Sequence, residues 1–307
     1  MTLIVIGGPT AVGKTTVAIA LAKWLGTEII SADSRQIFRE MEIGTAKPSR
    51  QELAEVKHHL VGSHSITVPY SAAAYCEEAL NLMEELSKKY EHLILCGGSG
   101  LYIKAVCEGL HEIPDVDPEI RVSLNRGFAA HGLEWLQQQM RQLDPEYFAT
   151  MDQQNPQRII RALEVKLGTG LSIGSFHNQP KVVRPFSVIK IGLERPRSIL
   201  YDAIDRRVDS MVEAGLFAEA EKLYPYRDLN ALRTVGYQEI FDYMEGKYDR
   251  EEAIRLLKQH SRQYAKRQLT WFKRDPEFTW FHPDDLPRIY EFVVQTIRSG
   301  RPSRMIK

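Results

Sequence analysis

The sequence predicts an α/β protein with a parallel sheet core, a helical insertion domain and a helical C-terminal region, and three observations carry that expectation. The apolar run at 3–6 leads straight into GPTAVGKT at residues 8–15, and a helical pattern follows it. Short apolar runs and helical patterns then alternate through the first third of the chain, as in a parallel sheet covered by helices. From Asp117 the strand signals stop and helix-start signals replace them.

GPTAVGKT has the form of a P-loop. Its glycines let the backbone curl until several N–H groups converge on phosphate oxygens, and the next helix adds its positive dipole end. Gly8, Pro9, Thr10, Ala11, Val12 and Gly13 make the loop, Lys14 adds a mobile cation, and Thr15 a hydroxyl suited to Mg²⁺. The implied ligand carries a di- or triphosphate. A helix at 14–25, a strand at 28–32, a helix over about 71–89 and a strand at 92–97 follow, and 186–193 reads as a further strand of the same P-loop-containing parallel sheet core. Asp117-Pro118-Glu119 and Asp144-Pro145-Glu146 each supply an N-cap, a proline at the first helical position and an early acid. Residues 113–185 are therefore expected to form a helical insertion, ending in Gly168-Thr169-Gly170 and a polar loop at 172–185. Residues 1–112 and 186–307 form the core. After Pro196 the chain reads as almost wholly helical, with Asp249 and Glu252 as a capping box for a long helix toward Lys273.

Composition narrows the class. With 307 residues and 43% hydrophobic content the chain buries a sizeable core, and its 40 basic and 40 acidic side chains cancel, so any polyanion-binding face is local. Cys76, Cys96 and Cys107 form no C-x-x-C pair, which disfavours a disulfide framework and a zinc site. No stretch approaches the roughly 20 apolar residues of a membrane span, and no basic region precedes the first apolar run. A cytoplasmic protein is expected.

Ligands of open α/β sheets bind outside the carboxyl ends of the strands. Three loops are expected there: the P-loop, Ser31-Ala32-Asp33-Ser34-Arg35-Gln36, and Gly97-Gly98-Ser99-Gly100-Leu101-Tyr102. Asp33 is placed either to act as a general base or metal-side ligand or to cap the next turn, and the residues alone leave both open. Ser99 offers a hydroxyl at the same mouth. Leu93-Ile94-Leu95 runs into Cys96-Gly97-Gly98 without a carboxylate, which weakens an ATP-driven motor; a small-molecule kinase remains, but it does not need so large a helical excess. Between 255 and 274, Arg255, Lys258, Arg262, Lys266, Arg267, Lys273 and Arg274 occur without an acid, interleaved with Tyr264, Trp271 and Phe272. That stripe suits either a nucleic-acid track or a solvated face over a core-facing aromatic row. Arg158 and Arg161, three apart on one helix, are open to the same two readings.

Eight motifs in order resemble the tRNA dimethylallyltransferase (tRNA isopentenyltransferase) family over nearly the whole chain: GPTAVGKT from Gly8, SADSRQIFREMEIGTAKP from Ser31, HHLVG from His58, YSAAAYCEEA from Tyr70, GGSGLYIKAV from Gly97, QRIIRALEV from Gln157, LRTVGYQEI from Leu232 and YAKRQLTWF from Tyr264. Phe38 stands where the family often has tyrosine and Ser99 where threonine is frequent; the lack of a C-terminal zinc-finger pattern is similar to bacterial forms. The resemblance implies transfer of a dimethylallyl group from dimethylallyl diphosphate to the N6 amine of the tRNA adenosine immediately 3′ of the anticodon. It implies that residues 8–15 serve the leaving diphosphate, with Mg²⁺ at Thr15 and Arg233 offsetting its charge, that Asp33 is the base, and that Ser99 lines the channel where the substrates meet. It assigns tRNA contacts to Asp33, Ser34, Arg35, Gln36, Ser99, Arg121, Gln157, Arg158, Ile159, Ile160 and Arg161, the insertion taking the anticodon stem-loop. A monomer is expected. The alternatives are an adenylate isopentenyltransferase or small-molecule kinase, which does not need the insertion, and a nucleotide-gated RNA-binding protein, which does not need Asp33.

Overall fold

The structure, a computed structural model, describes residues 1–110, 113–176 and 182–299. In chain order the elements are β1 (Thr2–Gly7), α1 (Lys14–Leu25), β2 (Ile29–Ser31), α2 (Arg50–Glu55), β3 (His58–His59), α3 (Ala72–Ser87), β4 (His92–Gly97) and α4 (Gly100–Glu108). There follow α5 (Pro118–Leu143), α6 (Pro145–Thr150), α7 (Pro156–Thr169), α8 (Ile173–Phe176), β5 (Ser187–Leu193), α9 (Arg197–Glu213), α10 (Leu216–Leu223), α11 (Gln238–Met244), α12 (Arg250–Lys273), β6 (Phe278–Phe281) and α13 (Leu286–Ser299). Two compact units result: Gly109–Val182, and the remainder on either side of it.

In the larger unit the strands form one sheet, ordered β3-β2-β4-β1-β5-β6, and each adjacent pair is parallel. Parallel strands are covered on both faces and so read as continuous apolar runs: Leu3, Ile4, Val5 and Ile6 are all fully buried. Alternate β1 residues enter opposite cores, Leu3 and Val5 one, Ile4 and Ile6 the other. Because β2, β4 and β1 are neighbours in register, the loops after them emerge side by side.

Two strands are absent from the sequence expectation. β3 has only two residues, and β6 lies in the stretch expected to be helical. Phe278-Thr279-Trp280-Phe281 is too short for a period-2 pattern to declare itself, and it is specified by pairing with β5, where Lys190 to Leu193 match Phe278 to Phe281. The capping box at Asp249 is half formed: Asp249 accepts the Glu252 amide, but the Glu252 carboxylate is taken by Arg255. A complete box instead starts α2, where Ser49 and Glu52 satisfy each other's amides.

The basic stripe of α12 is largely internal wiring. Lys258 pairs with Asp209 at 2.6 Å and Arg262 with Asp205 at 2.5 Å, both on α9, while Lys273 pairs with Glu194 at 2.8 Å. Phe272 is buried and the Trp271 indole packs on Gly100. These three cations are engaged by acids that lie far off in sequence, which a charge run without local acids does not reveal.

The smaller unit has its own core, including Leu124, Leu136, Met140, Phe148, Ile159, Ile160 and Leu163. Asp117 and Asp144 cap α5 and α6 as expected, each followed by proline. α5 is interrupted at Gly132 (φ 75°, ψ −168°), a conformation that lets two helical stretches meet at an angle. Part of the loop expected at 172–185 is the single turn α8, started by the Ser172 hydroxyl accepting the Gly174 amide; residues 177–181 lie outside the described residues.

Candidate active site

The three neighbouring loops face one cavity of about 490 Å³. Thr10, Ala11, Gly13, Lys14 and Thr15 line it, whereas Gly8, Pro9 and Val12 form the back of the loop, Val12 within the core. Gly13 begins α1 at φ 107°, the left-handed conformation a side chain would resist, so the α1 amides open onto the cavity. Lys14 Nζ donates to the Pro9 carbonyl at 2.8 Å. Burial draws its pKa from 10.5 down to about 8; Arg207 adds to the fall, and Cys96 and Asp33 oppose it.

Asp33 faces the same cavity just past β2. Its Oδ1 accepts the amides of Arg35 (2.9 Å) and Gln36 (3.2 Å), so it caps the local turn and reaches the cavity at once. The two openings left by the sequence are therefore compatible: one oxygen orients the carboxylate, and the group as a whole sits in the field of Lys14, Arg35 and Arg207. Ser99 is not in the lining. Its Oγ accepts the Ser34 amide at 2.9 Å and donates to Ser34 Oγ at 3.1 Å, lashing the β4 loop to the Asp33 loop. The close approach needs Gly97, where a Cβ would lie 2.0 Å from the Ala32 carbonyl oxygen. Arg35 lines the cavity, while Gln36 spends its amide on the Thr45 and Ala46 carbonyls and so holds the loop at 44–48 against the site.

Two polar residues of the lining, among those not singled out from the sequence, anchor the site. Gln268 of α12 is buried; its Oε1 accepts the Thr10 amide and its Nε2 donates to the Gly98 carbonyl, both at 2.9 Å. It ties the P-loop to the β4 loop. Replacing Gln268 with Leu strands both backbone groups and is expected to cost about 2 kcal/mol, read as a lower urea midpoint, with weaker phosphate-ligand binding in the same variant. Arg207 of α9 is the other, a mostly buried guanidinium donating to the Ala46 carbonyl at 3.3 Å. Ile204, Val208, Met211, Val235 and Leu257 complete the wall with apolar surface. The cavity thus offers cations and helix-terminal amides beside an apolar patch, a match for a phosphate group carrying a hydrocarbon.

The profile of the IPP transferase family matches residues 36–275. The chain belongs to the IPP transferase family. It is 50% identical to a tRNA dimethylallyltransferase of Cytophaga hutchinsonii over 95% of this chain and 96% of that one, and 49% identical to one of Christiangramia forsetii over 97% and 99%. The solved tRNA isopentenylpyrophosphate transferase of Bacillus halodurans superposes with a TM-score of 0.71 at 38% identity, covering 97% of both chains. The α/β fold with a parallel sheet and helical regions is the one those IPP transferase structures share. Among the described residues no helix is long and apolar enough to cross a membrane.

The remaining candidates divide. Arg233 of the IPP transferase motif LRTVGYQEI is exposed and outside the lining, although Thr234, Val235 and Gly236 beside it are in it. In the insertion, considered by itself, Arg121 and Arg161 share the buried carboxylate of Glu164 at 3.5 and 2.9 Å, while Gln157 and Arg158 are exposed on α7. Ile159 and Ile160 are fully buried in the insertion core, so their side chains are unavailable to RNA and serve to orient the polar residues around them. For a metal, Thr15 offers a P-loop hydroxyl to the cavity, and a hydroxyl with phosphate oxygens suits Mg²⁺, which keeps much of its water. Glu108, Asp275 and Glu277 also lie close enough together to ligate an ion. The Lys190 ammonium already sits among them, 3.1, 2.6 and 2.9 Å away, and although burial works against its charge these acids hold its pKa above the usual value.

Proposed function

We propose that this IPP transferase moves a dimethylallyl group from dimethylallyl diphosphate to the N6 amine of the tRNA adenosine immediately 3′ of the anticodon, releasing diphosphate. The observation that carries the reading is the joint presence of Lys14, Thr15 and Asp33 on the walls of one cavity that also has an apolar patch. A cationic cradle and a carboxylate facing the same space suit a reaction in which an anion leaves and a proton is removed. The relatives' names give tRNA and a dimethylallyl group, and family membership supports extending these to this chain.

In this reaction the bond from N6 to the allylic carbon forms as the allylic carbon–oxygen bond breaks. The electron pair of that bond leaves on diphosphate, whose growing charge is met by Lys14 and the P-loop amides. Mg²⁺ held at Thr15, when bound, neutralises part of the same charge. Asp33 takes the N6 proton, and Ser99 keeps the Asp33 loop in register beside it. The adenine must leave the stacked anticodon loop to reach the cavity, at a cost of a few kcal/mol. Contacts from Ser34, Arg35, Gln36, Arg121, Gln157, Arg158 and Arg161 offset that cost, with the insertion at 113–185 holding the anticodon stem-loop. The enzyme works as a cytoplasmic monomer.

Incubation of the protein with Mg²⁺, dimethylallyl diphosphate and unmodified tRNA bearing adenosine after the anticodon is expected to yield N6-dimethylallyladenosine in a nuclease digest, detected by mass spectrometry. AMP is expected to remain unmodified. Prenylation of AMP alone, or ATP consumption without prenyl transfer, overturns the reading.

A further inference from the structure

We propose that Glu219 is a positioning residue for the transfer, one that sets the Asp33 carboxylate through the loop at 44–48. This role rests on the reading of Asp33 as the base, and it adds a residue that neither the P-loop nor the other family motifs contain. Glu219 lies on α10, half-buried and outside the cavity lining.

Its carboxylate is surrounded by donors. Oε2 accepts the amides of Glu42 (3.1 Å) and Ile43 (2.7 Å), and Oε1 accepts the Gly44 amide (2.9 Å) and the Tyr237 hydroxyl (2.6 Å). These four donors fill the acceptor sites of the two oxygens, and three of them are successive backbone amides converging on one anion. The seat is tight. A Cβ at Gly44 would lie 2.6 Å from Tyr237 Cζ, so only glycine brings the loop onto that ring, and Tyr237 is itself fully buried. Tyr237 directly follows Thr234, Val235 and Gly236, which line the cavity as residues 44–48 do. A single carboxylate thus ties two segments of the lining together.

The tie continues to the base. Just past the three held amides, Gln36 Nε2 donates to the Thr45 and Ala46 carbonyls at 3.1 and 3.0 Å, and the Gln36 amide donates to Asp33 Oδ1 at 3.2 Å. Glu219 and Gln36 therefore grip successive stretches of the loop. Ala46 sits there at φ 46°, a left-handed conformation that costs an alanine energy and persists only where its surroundings over-determine it. Releasing the amides of 42–44 lets Ala46 relax, shifts the carbonyls that hold the Gln36 side chain, and loosens one of the two amides that orient Asp33. A misplacement of about 1 Å at a reacting group is enough to cost a large factor in rate.

The test is a double-variant comparison of single-turnover prenyl transfer at saturating tRNA and dimethylallyl diphosphate, with urea midpoints measured beside it. Glu219→Gln keeps the size of the side chain but turns an NH₂ group toward donors, and it is expected to lower the rate about ten- to a hundredfold. Tyr237→Phe, which removes one of the four donors, is the milder variant and is expected to show the same pattern at a smaller loss. Glu28→Gln controls for lost stability: Glu28 also holds two side chains, His59 and Tyr90, yet lies outside the lining, so its urea midpoint falls while its rate stays at the parent's. In the Asp33→Asn background Glu219→Gln is expected to slow the reaction by about twofold or less, because the group it positions no longer takes the proton. A purely structural carboxylate leaves the rate within about twofold of the parent or gives effects that multiply in the double variant, and either result overturns the inference. An equal fall in rate for Glu28→Gln overturns it as well. Failure of the underlying reading shows separately, in a parent that transfers no prenyl group or an Asp33→Asn variant as fast as the parent, and the inference falls with it.

Discussion

Asp33→Asn is expected to lower the single-turnover rate of prenyl transfer by about 10²- to 10⁴-fold, the range for a positioned general base, while filter binding of tRNA is unchanged. The substitution is chosen for its geometry. An asparagine Oδ1 still accepts the Arg35 and Gln36 amides that the aspartate holds at 2.9 and 3.2 Å, so the turn survives and only basicity is lost. Asp33→Ala removes the turn contacts as well and is expected to cost stability in addition. A rate within tenfold of the parent for Asp33→Asn removes Asp33 from the proton transfer.

The second large effect belongs to Lys14. Lys14→Met is expected to reduce turnover by about 10²- to 10³-fold, comparable to loss of one preorganised charge stabiliser. The parent protein should also show a pH signature that the variant lacks. Burial holds the ligand-free Lys14 pKa near 8, with Arg207 repelling its charge. Below that pH the ammonium is present and diphosphate binds; above it the charge is lost and the KM for the allylic diphosphate rises. The stability effect has the opposite sign. Because the pKa is 10.5 in the unfolded chain and about 8 in the fold, the unfolded state binds more protons between these values. Ligand-free stability attributable to Lys14 therefore rises with pH across that window. A KM independent of pH from 7 to 9 in the parent, or an identical profile in Lys14→Met, rules out this role.

Features with short-range causes were legible in the sequence. The P-loop is written in eight consecutive residues, because its turn depends on Gly13 at φ 107° and its charge on the adjacent Lys14. β1 and β4 declared themselves because a parallel strand buried on both faces must be apolar at each position, as Leu3 to Ile6 are. Their order along the chain placed three loops at carboxyl ends of strands, and the parallel register then set those loops side by side. The helix starts at Asp117 and Asp144 were equally local.

What the sequence by itself determined, then, is the fold class, the phosphate loop and the motifs that mark the family. The tertiary structure decided which charges are spent and which face the cavity. Helical periodicity tells which residues share a face, but the partner of that face comes from elsewhere in the chain. Arg262 and Arg207 look alike in sequence, yet Arg262 meets Asp205 across two helices, while Arg207 lines a cavity with Lys14 and no carboxylate partner among the described residues. Gln268 was hidden for the same reason: its amide joins Thr10 and Gly98, 258 and 170 positions away. β6 needed β5 beside it to exist at all. Pairing across such separations is settled by packing and desolvation in the folded core, where a buried polar group without its partner is too costly to keep.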